Sequence, residues 1–264
     1  MFLSVASLCV LMAGSSVSQS IQSPIPLTAN GVIAKAVARS RQTNAQAQSG
    51  EFTYTKVSVT EEFDGAGRMR EHKEKVYQVS FHGGESFAKL LEVNGRAPAE
   101  ADLKKQTENE MNLHQILGDS KSAKGDNRES FLTAAVAARF DFSLGRQTLL
   151  NGRSTYVVDF QPRNPPPPVH RLVDKLLDRL SGQLWIDAEE FEIARADVRL
   201  RSEVDLLGGV VGCLRKLAYT MTRTRVADGV WLNSYSSGDF EGRKLLDSLH
   251  IKTHTESSNF RPLT

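Results

Sequence analysis

Apolar and polar residues alternate with a period of two along much of this chain, as they do in strands that have one dry face. The alternation is clearest after residue 139, where even-numbered positions are apolar on several successive segments. The odd-numbered positions carry charged residues such as Arg195, Asp197 and Arg199. The pattern therefore predicts an antiparallel sheet with one face in a core and the other toward water.

Short turns that contain glycine divide the predicted strands into hairpins. Asp64-Gly65-Ala66-Gly67 separates strands predicted at 51–63 and 68–81, because glycine tolerates the positive φ of tight turns. A third strand is predicted at 87–93 and ends at Asn94-Gly95. Further strands are predicted at 139–144, after Asn151-Gly152, and at 183–187, 193–201, 215–226, 229–240 and 244–254.

Helical periodicity interrupts the strands in three places. Residues 28–48 place Val32, Ala36 and Val37 on one side, which predicts an amphipathic helix before the first strand. Two inserts at 98–138 and 165–180 are predicted to be largely helical. A sheet with one apolar face must be covered, so we expect the helices to lie on that face. The predicted fold class is α+β, dominated by strands.

The second insert opens with four consecutive prolines at 165–168, which fix φ and remove every amide donor. Such a run is extended, and polyproline runs also serve as ligands for aromatic-lined grooves. A stiff lead-in to the helix predicted at 170–180 explains the run as well. The lead-in is the preferred interpretation.

The amino terminus has the pattern of a signal peptide. An apolar run at 5–13 is followed by small and polar residues at 14–18, and the run is shorter than the ~20 residues that cross a bilayer. We expect cleavage after Ser18, an exposed segment at 19–27, and export to the periplasm. Leu8 precedes Cys9, so lipidation of that cysteine is not expected.

Removal of the leader would leave Cys213 as the one cysteine, so the mature chain could form no internal disulfide. We therefore expect stability to come from the core, with Cys213 as a buried thiol. The 33 basic and 31 acidic residues give a formal net charge of +2. This near balance gives no electrostatic reason to expect a nucleic-acid partner.

Candidate catalytic patterns in the sequence are weak. The segment at 81–86 contains His-Gly-Gly, as some esterase oxyanion loops do, but the chain has no Gly-x-Ser-x-Gly nucleophile turn. His250 and His254 share a strand face without a third ligand nearby in sequence. Glu189 and Glu190 occupy a turn and are predicted to be solvated. No catalytic residue, cofactor or metal site is therefore predicted.

Two segments carry a resemblance to a known family. The segment LSGQLWID at 180–187, Arg195 after it, and DGVWL at 228–232 resemble the LolA-like superfamily of outer-membrane lipoprotein-sorting proteins. The resemblance implies a curved antiparallel incomplete (half) β-barrel covered by helices, with an apolar cavity for acyl chains. It would span residues 28–254 as one domain, with a tail at 255–264.

The resemblance also implies what the protein does. A periplasmic carrier would hold a lipid or the acyl chains of a lipoprotein, in lipoprotein sorting or envelope lipid transport. Its partners would be an inner-membrane transporter or an outer-membrane acceptor, with peripheral membrane contact. The alternative is an envelope sensor or scaffold that uses the same half-barrel for protein interaction.

The candidate lining of the cavity consists of even-numbered apolar positions from 140 to 200, together with three apolar residues of the strand predicted at 215–226. They lie on strands long enough for an extended acyl chain to follow. The predicted lipid-binding residues are Phe140, Phe142, Leu144, Tyr156, Val158, Phe160, Leu184, Ile186, Val198, Leu200, Leu217, Tyr219 and Met221.

Overall fold

A computed structural model describes residues 27–46, 52–82, 85–104, 132–206, 212–244 and 247–263. The predicted leader and most of the segment at 19–27 lie outside these residues. So do 105–131 of the first insert and the two glycines at 83–84.

The described residues form one antiparallel sheet of eleven strands, in the order β3-β2-β1-β11-β10-β9-β7-β6-β5-β4, with β8 paired to β9. The sheet is open, because β3 and β4 lie at its two ends. The predicted strand-dominated open half-barrel with helices is confirmed. The strands are β1 Phe52–Phe63, β2 Met69–His82, β3 Glu85–Val93, β4 Phe140–Leu150, β5 Arg153–Pro162, β6 Leu180–Asp187, β7 Ile193–Leu200, β8 Val204–Leu206, β9 Gly212–Ala227, β10 Val230–Lys244 and β11 Asp247–Pro262.

Strand β11 joins the two hairpin sets into one sheet. Its first half was predicted at 244–254, but the strand continues to Pro262 and pairs with β10 on one side and β1 on the other. Residues 255–262 of the predicted tail are thus part of the sheet. This long-range pairing leaves no signal in the local pattern, because a terminal strand and a polar tail differ only in having a partner.

The predicted glycine turns have the expected backbone. Asn94 and Gly95 both have positive φ, at 50° and 70°, and Asn151 and Gly152 repeat this with 50° and 78°. Two successive residues with positive φ match the right-handed twist of the strands that they join. The two turns therefore fix the register of the strands around them.

Three helices accompany the sheet: α1 Ala29–Gln46, α2 Ala134–Ala137 and α3 Leu172–Leu177. Residues 100–104 are also helical. Of the described helices, none is long and apolar enough to cross a membrane.

Helix α3 is shorter than the helix predicted at 170–180. The Asp174 carboxylate accepts hydrogen bonds from the backbone N–H groups of His170 and Arg171, which caps its start. The helix ends at Leu177 because the chain turns there into β6, and the N–H of Arg201 donates to the carbonyl of Arg179. Leu180, predicted as part of the helical stripe, is the first residue of β6.

Arg139 holds the proline run in place. Its guanidinium is buried, donates two hydrogen bonds to Asp178 at 2.9 and 2.7 Å, and donates to the carbonyls of Pro168 and Pro167 at 3.0 and 3.1 Å. The run therefore has a structural role as an anchored lead-in to α3.

Helix α1 packs against one face of the sheet, which we call the helix face. Val32, Val158 and Ile186 meet there with side chains that are 0% exposed. The buried cluster at this contact consists of Val32, Ile33, Ala36, Val37, Leu132, Phe140, Val158, Phe160, Leu184, Ile186, Ala196 and Met221. The cover that the alternation required is therefore supplied in large part by α1.

Gly182 gives β6 its close contact with β7. A Cβ atom at this position would collide with the carbonyl oxygen of Asp197 and lie 3.1 Å from Cε1 of Phe160. Glycine in LSGQLWID is thus needed for space rather than for a left-handed backbone.

We expect Gly182→Ala to lower the free energy of unfolding by about 1–3 kcal/mol, because the added methyl group overpacks the contact. Denaturant unfolding measures the loss, and Gln183→Ala on the exposed neighbour serves as the control. An unchanged unfolding midpoint for Gly182→Ala would contradict the steric explanation.

Cys213 lies on β9 and is 5% exposed, so the predicted buried thiol is confirmed. Burial, together with a hydrogen bond to Glu203, raises the pKa of the thiol above its usual value. Both effects disfavour the reactive thiolate.

Candidate functional site

The predicted lining residues fall into three groups on the helix face. Six belong to the buried cluster: Phe140, Val158, Phe160, Leu184, Ile186 and Met221. Four are partly buried and pack against it: Phe142, Tyr156, Val198 and Tyr219. The other three, Leu144, Leu200 and Leu217, lie outside it.

Other side chains, rather than empty space, surround the residues of the first group. Phe140 and Phe160 meet edge to face with ring centroids 5.1 Å apart, and Tyr156 stacks on Phe191 at 6.2 Å. The apolar side of α1 covers the same region through Val32 and Ile33. This end of the helix face therefore functions as a core. A lining role for its residues stays a prediction.

Leu144 is 38% exposed because it lies on the edge strand, immediately before an irregularity. The register of β4 with β5 shifts between Leu144 and Gln147, so the alternation seen at Phe140 and Phe142 breaks there. A register shift of this kind moves later side chains to the other face. The sequence alternation did not show it.

Beyond the buried cluster, the helix face continues with apolar side chains. Leu217 of β9, Phe240 of β10 and Ile251 of β11 are direct partners across three neighbouring strands. Each is half-buried and lies outside the buried cluster. We call these three residues the apolar row. It spans about 10 Å at the usual strand spacing.

Gly238 keeps the apolar row low against the sheet. A Cβ atom there would collide with the ring of Phe240 and lie 2.8 Å from the hydroxyl of Thr253. The Phe240 ring therefore lies over Gly238 rather than standing away from the sheet. The result is a flat apolar surface next to Tyr219, the partner of Gly238 on β9.

The segment LSGQLWID ends in a buried carboxylate. Asp187 accepts two hydrogen bonds from Arg153, at 2.6 and 2.9 Å, and others from the backbone N–H groups of Glu189 and Glu190. Burial acts to raise the pKa of Asp187, but these hydrogen bonds outweigh it, so its pKa lies below the usual value. The aspartate thus fixes the turn between β6 and β7.

Glu192 is the second buried carboxylate of this turn and lies between two guanidinium groups. Arg39 of α1 donates to it at 3.1 Å and Arg223 of β9 donates at 2.7 Å. Arg39 also donates to the carbonyl of Gly229 at 2.8 Å. Glu192 therefore ties α1 to the strands beneath it.

Glu190 is half-buried, so the prediction that it is solvated was wrong. The indole N–H of Trp231 donates to it at 2.7 Å and Arg225 donates at 2.6 Å. Burial acts to raise the pKa of Glu190. The hydrogen bonds from these two donors outweigh that effect, so the pKa lies below its usual value. Glu189 is 78% exposed, as expected.

Together these contacts explain both segments that carry the family resemblance. LSGQLWID supplies Asp187, DGVWL supplies Trp231, and the turn between β6 and β7 supplies Glu190 as the link. Their role is to hold α1 and two hairpins in place. The long sequence separation between the arginines and their carboxylate partners hid this network.

The opposite face of the sheet has a shallow depression of about 510 Å³. Small side chains on β9 and β10 border it, and charged side chains stand on β1, β10 and β11. The lining residues are Val59, Glu61, Ala218, Thr220, Ser237, Gly238, Asp239, Lys252, Thr253 and His254. None of them is a predicted lining residue.

The register confirms that His250 and His254 share this opposite face, and it brings carboxylates to them from neighbouring strands. His250 lies 2.9 Å from Asp239, and Lys216 donates to Asp239 and Glu241 at 2.8 and 2.9 Å. The ammonium of Lys216 therefore bridges both carboxylates. The local sequence pattern did not reveal this group, because its members come from three strands.

Comparisons with known proteins were made by family, by sequence and by structure. No family model matches the chain, and no curated protein matches it. Among solved structures, a DUF1329 family protein from Desulfovibrio piger has 14% identity and a TM-score of 0.34, and the match covers 90% of this chain and 94% of that one.

Two further structures carry names from lipoprotein sorting. A domain from Vibrio parahaemolyticus, described as an outer membrane lipoprotein-sorting protein, has 11% identity and a TM-score of 0.34 over 88% of this chain and 94% of its own. A LolA superfamily protein from Nitrosomonas europaea has 13% identity and a TM-score of 0.33 over 90% and 95%.

The chain resembles LolA-like proteins in fold. Identities and TM-scores this low carry no information about function. The function of the site is therefore inferred from the contacts within the chain itself.

Proposed function

We propose that this protein is a non-catalytic carrier of the periplasm that holds an acyl chain of a lipid or lipoprotein against the helix face. The observation that supports the proposal is the apolar row, which extends the helix face beyond the buried cluster. Its three side chains are apolar, yet each is only half-buried and remains in partial contact with water.

An apolar surface of this kind gains free energy when it is covered, at roughly 25 cal/mol per Å² removed from water. An acyl chain is a suitable cover, because it is apolar, narrow and able to follow a flat surface. Tyr219 and Leu200, two predicted lining residues, border the apolar row on β9 and β7. The acyl chain would therefore lie across β7, β9, β10 and β11.

The buried cluster supports the same proposal by supplying a rigid wall. Helix α1 closes one end of the helix face and is fixed by the contacts of Arg39 to Glu192 and Gly229. A site beside a rigid core needs less ordering when the ligand binds.

Binding of a fluorescent fatty-acid probe tests the proposal. We expect the wild-type protein to bind the probe saturably and Leu217→Lys to bind it at least about 10-fold more weakly, because a lysine there must desolvate its charge beside the acyl chain. Ala218→Lys is the matched control, since this neighbouring residue lies on the opposite face and is exposed.

The control should bind the probe as the wild type does, and both variants should unfold cooperatively. Equal binding by Leu217→Lys and the wild type would contradict the apolar row as the site. A wild-type protein that binds no probe and releases no lipid on denaturation would refute the carrier proposal.

The second candidate function is an envelope sensor or scaffold, which the packing of the buried cluster favours. The six predicted lining residues of the buried cluster pack against α1 and against one another. In that case the helix face would serve as a core alone, and a partner protein would contact another surface. Absence of bound lipid in native mass spectrometry of the periplasmic protein would favour this candidate.

A further inference from the structure

Strand β8 is a three-residue strand that pairs with β9 away from the main path of the sheet. Asp205 of β8 is the direct partner of Cys213 on β9, and Glu203 precedes Asp205 by two residues. The sulfur of Cys213 and one carboxylate oxygen of each acidic residue all lie within 4.8 Å of one another. We call these three residues the thiol-carboxylate group.

We propose that the thiol-carboxylate group is a binding site for a thiophilic divalent cation, Zn²⁺ foremost. Zn²⁺ is commonly bound by cysteine sulfur at about 2.3 Å and by carboxylate oxygen at about 2.0–2.2 Å. Neighbouring ligand atoms are then about 3.3–3.7 Å apart, which follows from tetrahedral geometry at those bond lengths. Small rotations of exposed Glu203 and Asp205 would close the observed separations.

The position of the sulfur favours a metal over a chance meeting of surface charges. Cys213 is 5% exposed, whereas both carboxylates are exposed and approach it from the solvent side. The backbone at Cys213 is fixed, because Gly242 on β10 approaches its carbonyl oxygen too closely for any side chain. One ligand is therefore rigid and buried, and two can adjust.

A second group of three donor residues differs from the thiol-carboxylate group in its contact with a cation. Asp239, Glu241 and His250 also bring three donor atoms together, but Lys216 already bridges both carboxylates there. In the thiol-carboxylate group, Arg215 lies 3.9 Å from Glu203. The group of Asp239, Glu241 and His250 is therefore bridged by an ammonium at short range, whereas the guanidinium beside Glu203 makes only a long contact.

The charges around the site are consistent with a divalent ion. Two carboxylates and a thiolate carry three negative charges, so a bound divalent cation leaves one negative charge. Arg215 lies next to Glu203, and its guanidinium would balance the remaining charge. Three protein ligands leave the fourth position of Zn²⁺ for water.

Titration of the full chain with Zn²⁺ alone, followed by calorimetry, tests the inference. We expect one bound ion per chain, and a Cd²⁺ titration should produce the ultraviolet charge-transfer band of a cadmium–thiolate bond. Cys213→Ser should remove that band and weaken Zn²⁺ binding by more than about 10-fold, the least that even outer ligand partners cost. Asp205→Asn should weaken Zn²⁺ binding to a similar extent.

Asp239→Asn is the matched control and should leave Zn²⁺ affinity unchanged. If Cys213→Ser does not fold, the Cd²⁺ band of the wild type and the Asp205→Asn variant still decide the question. Absence of binding by the wild type, absence of the Cd²⁺ band, or loss of Zn²⁺ binding in Asp239→Asn instead of Asp205→Asn would each overturn the proposal. Lipid binding is independent of all these outcomes.

Discussion

Glu192→Gln is expected to lower the free energy of unfolding by about 3–5 kcal/mol, the usual cost of removing one partner from a buried ion pair. Glu192 is 5% exposed and accepts hydrogen bonds from Arg39 and Arg223. The amide would leave both guanidinium groups poorly satisfied in a site with little water. Denaturant unfolding at neutral pH measures the effect.

Glu189→Gln is the matched control, because it removes a carboxylate from the same turn that is 78% exposed. It should change the free energy of unfolding by less than about 1 kcal/mol. Similar losses in the two variants would show that the turn, rather than the buried ion pairs, determines stability.

The double variant Arg39→Met with Glu192→Gln separates the link to α1 from the link to β9. If α1 is held through Arg39, the second substitution should add little to the loss caused by the first. Full additivity would mean that Arg39 and Glu192 act independently, contrary to their 3.1 Å contact.

The fold was largely predictable from local pattern. The alternation at Leu184, Ile186, Ala194 and Ala196 marks one face of two strands, and the structure buries all four residues. A period of two reports which side of a strand is dry, whatever the partner strand is. Strand order, by contrast, depends on contacts across the chain, which is why the pairing of β11 with β1 was not foreseen.

The candidate site was less predictable for the same reason. The predicted lining included both Val158 and Leu217, and the register places them on one face, but an apolar pattern does not distinguish a packed position from an open one. That difference depends on where α1 ends and which residues it covers. The positions of Glu190 and Glu192 were hidden as well, since each arginine partner is more than thirty residues away.

The buried cluster itself is tested by Val158→Asp, which should lower the free energy of unfolding by about 4 kcal/mol or more. Val158 is 0% exposed and lies among residues of α1 and β6, so a carboxylate there finds neither water nor a partner. We expect loss of the cooperative thermal transition, followed by circular dichroism. A wet cavity at this position would tolerate the aspartate with a much smaller loss.

Val157→Asp is the control for this substitution, because the preceding residue faces away from α1 and is half-buried. It should cost no more than about 2 kcal/mol, since its carboxylate can reach solvent. If Val158→Asp unfolds cooperatively near the wild-type temperature and its affinity for the fatty-acid probe falls, then Val158 lines a solvent-accessible lipid cavity. The acyl chain would then lie against the predicted lining residues of β4 and β5 instead of the apolar row.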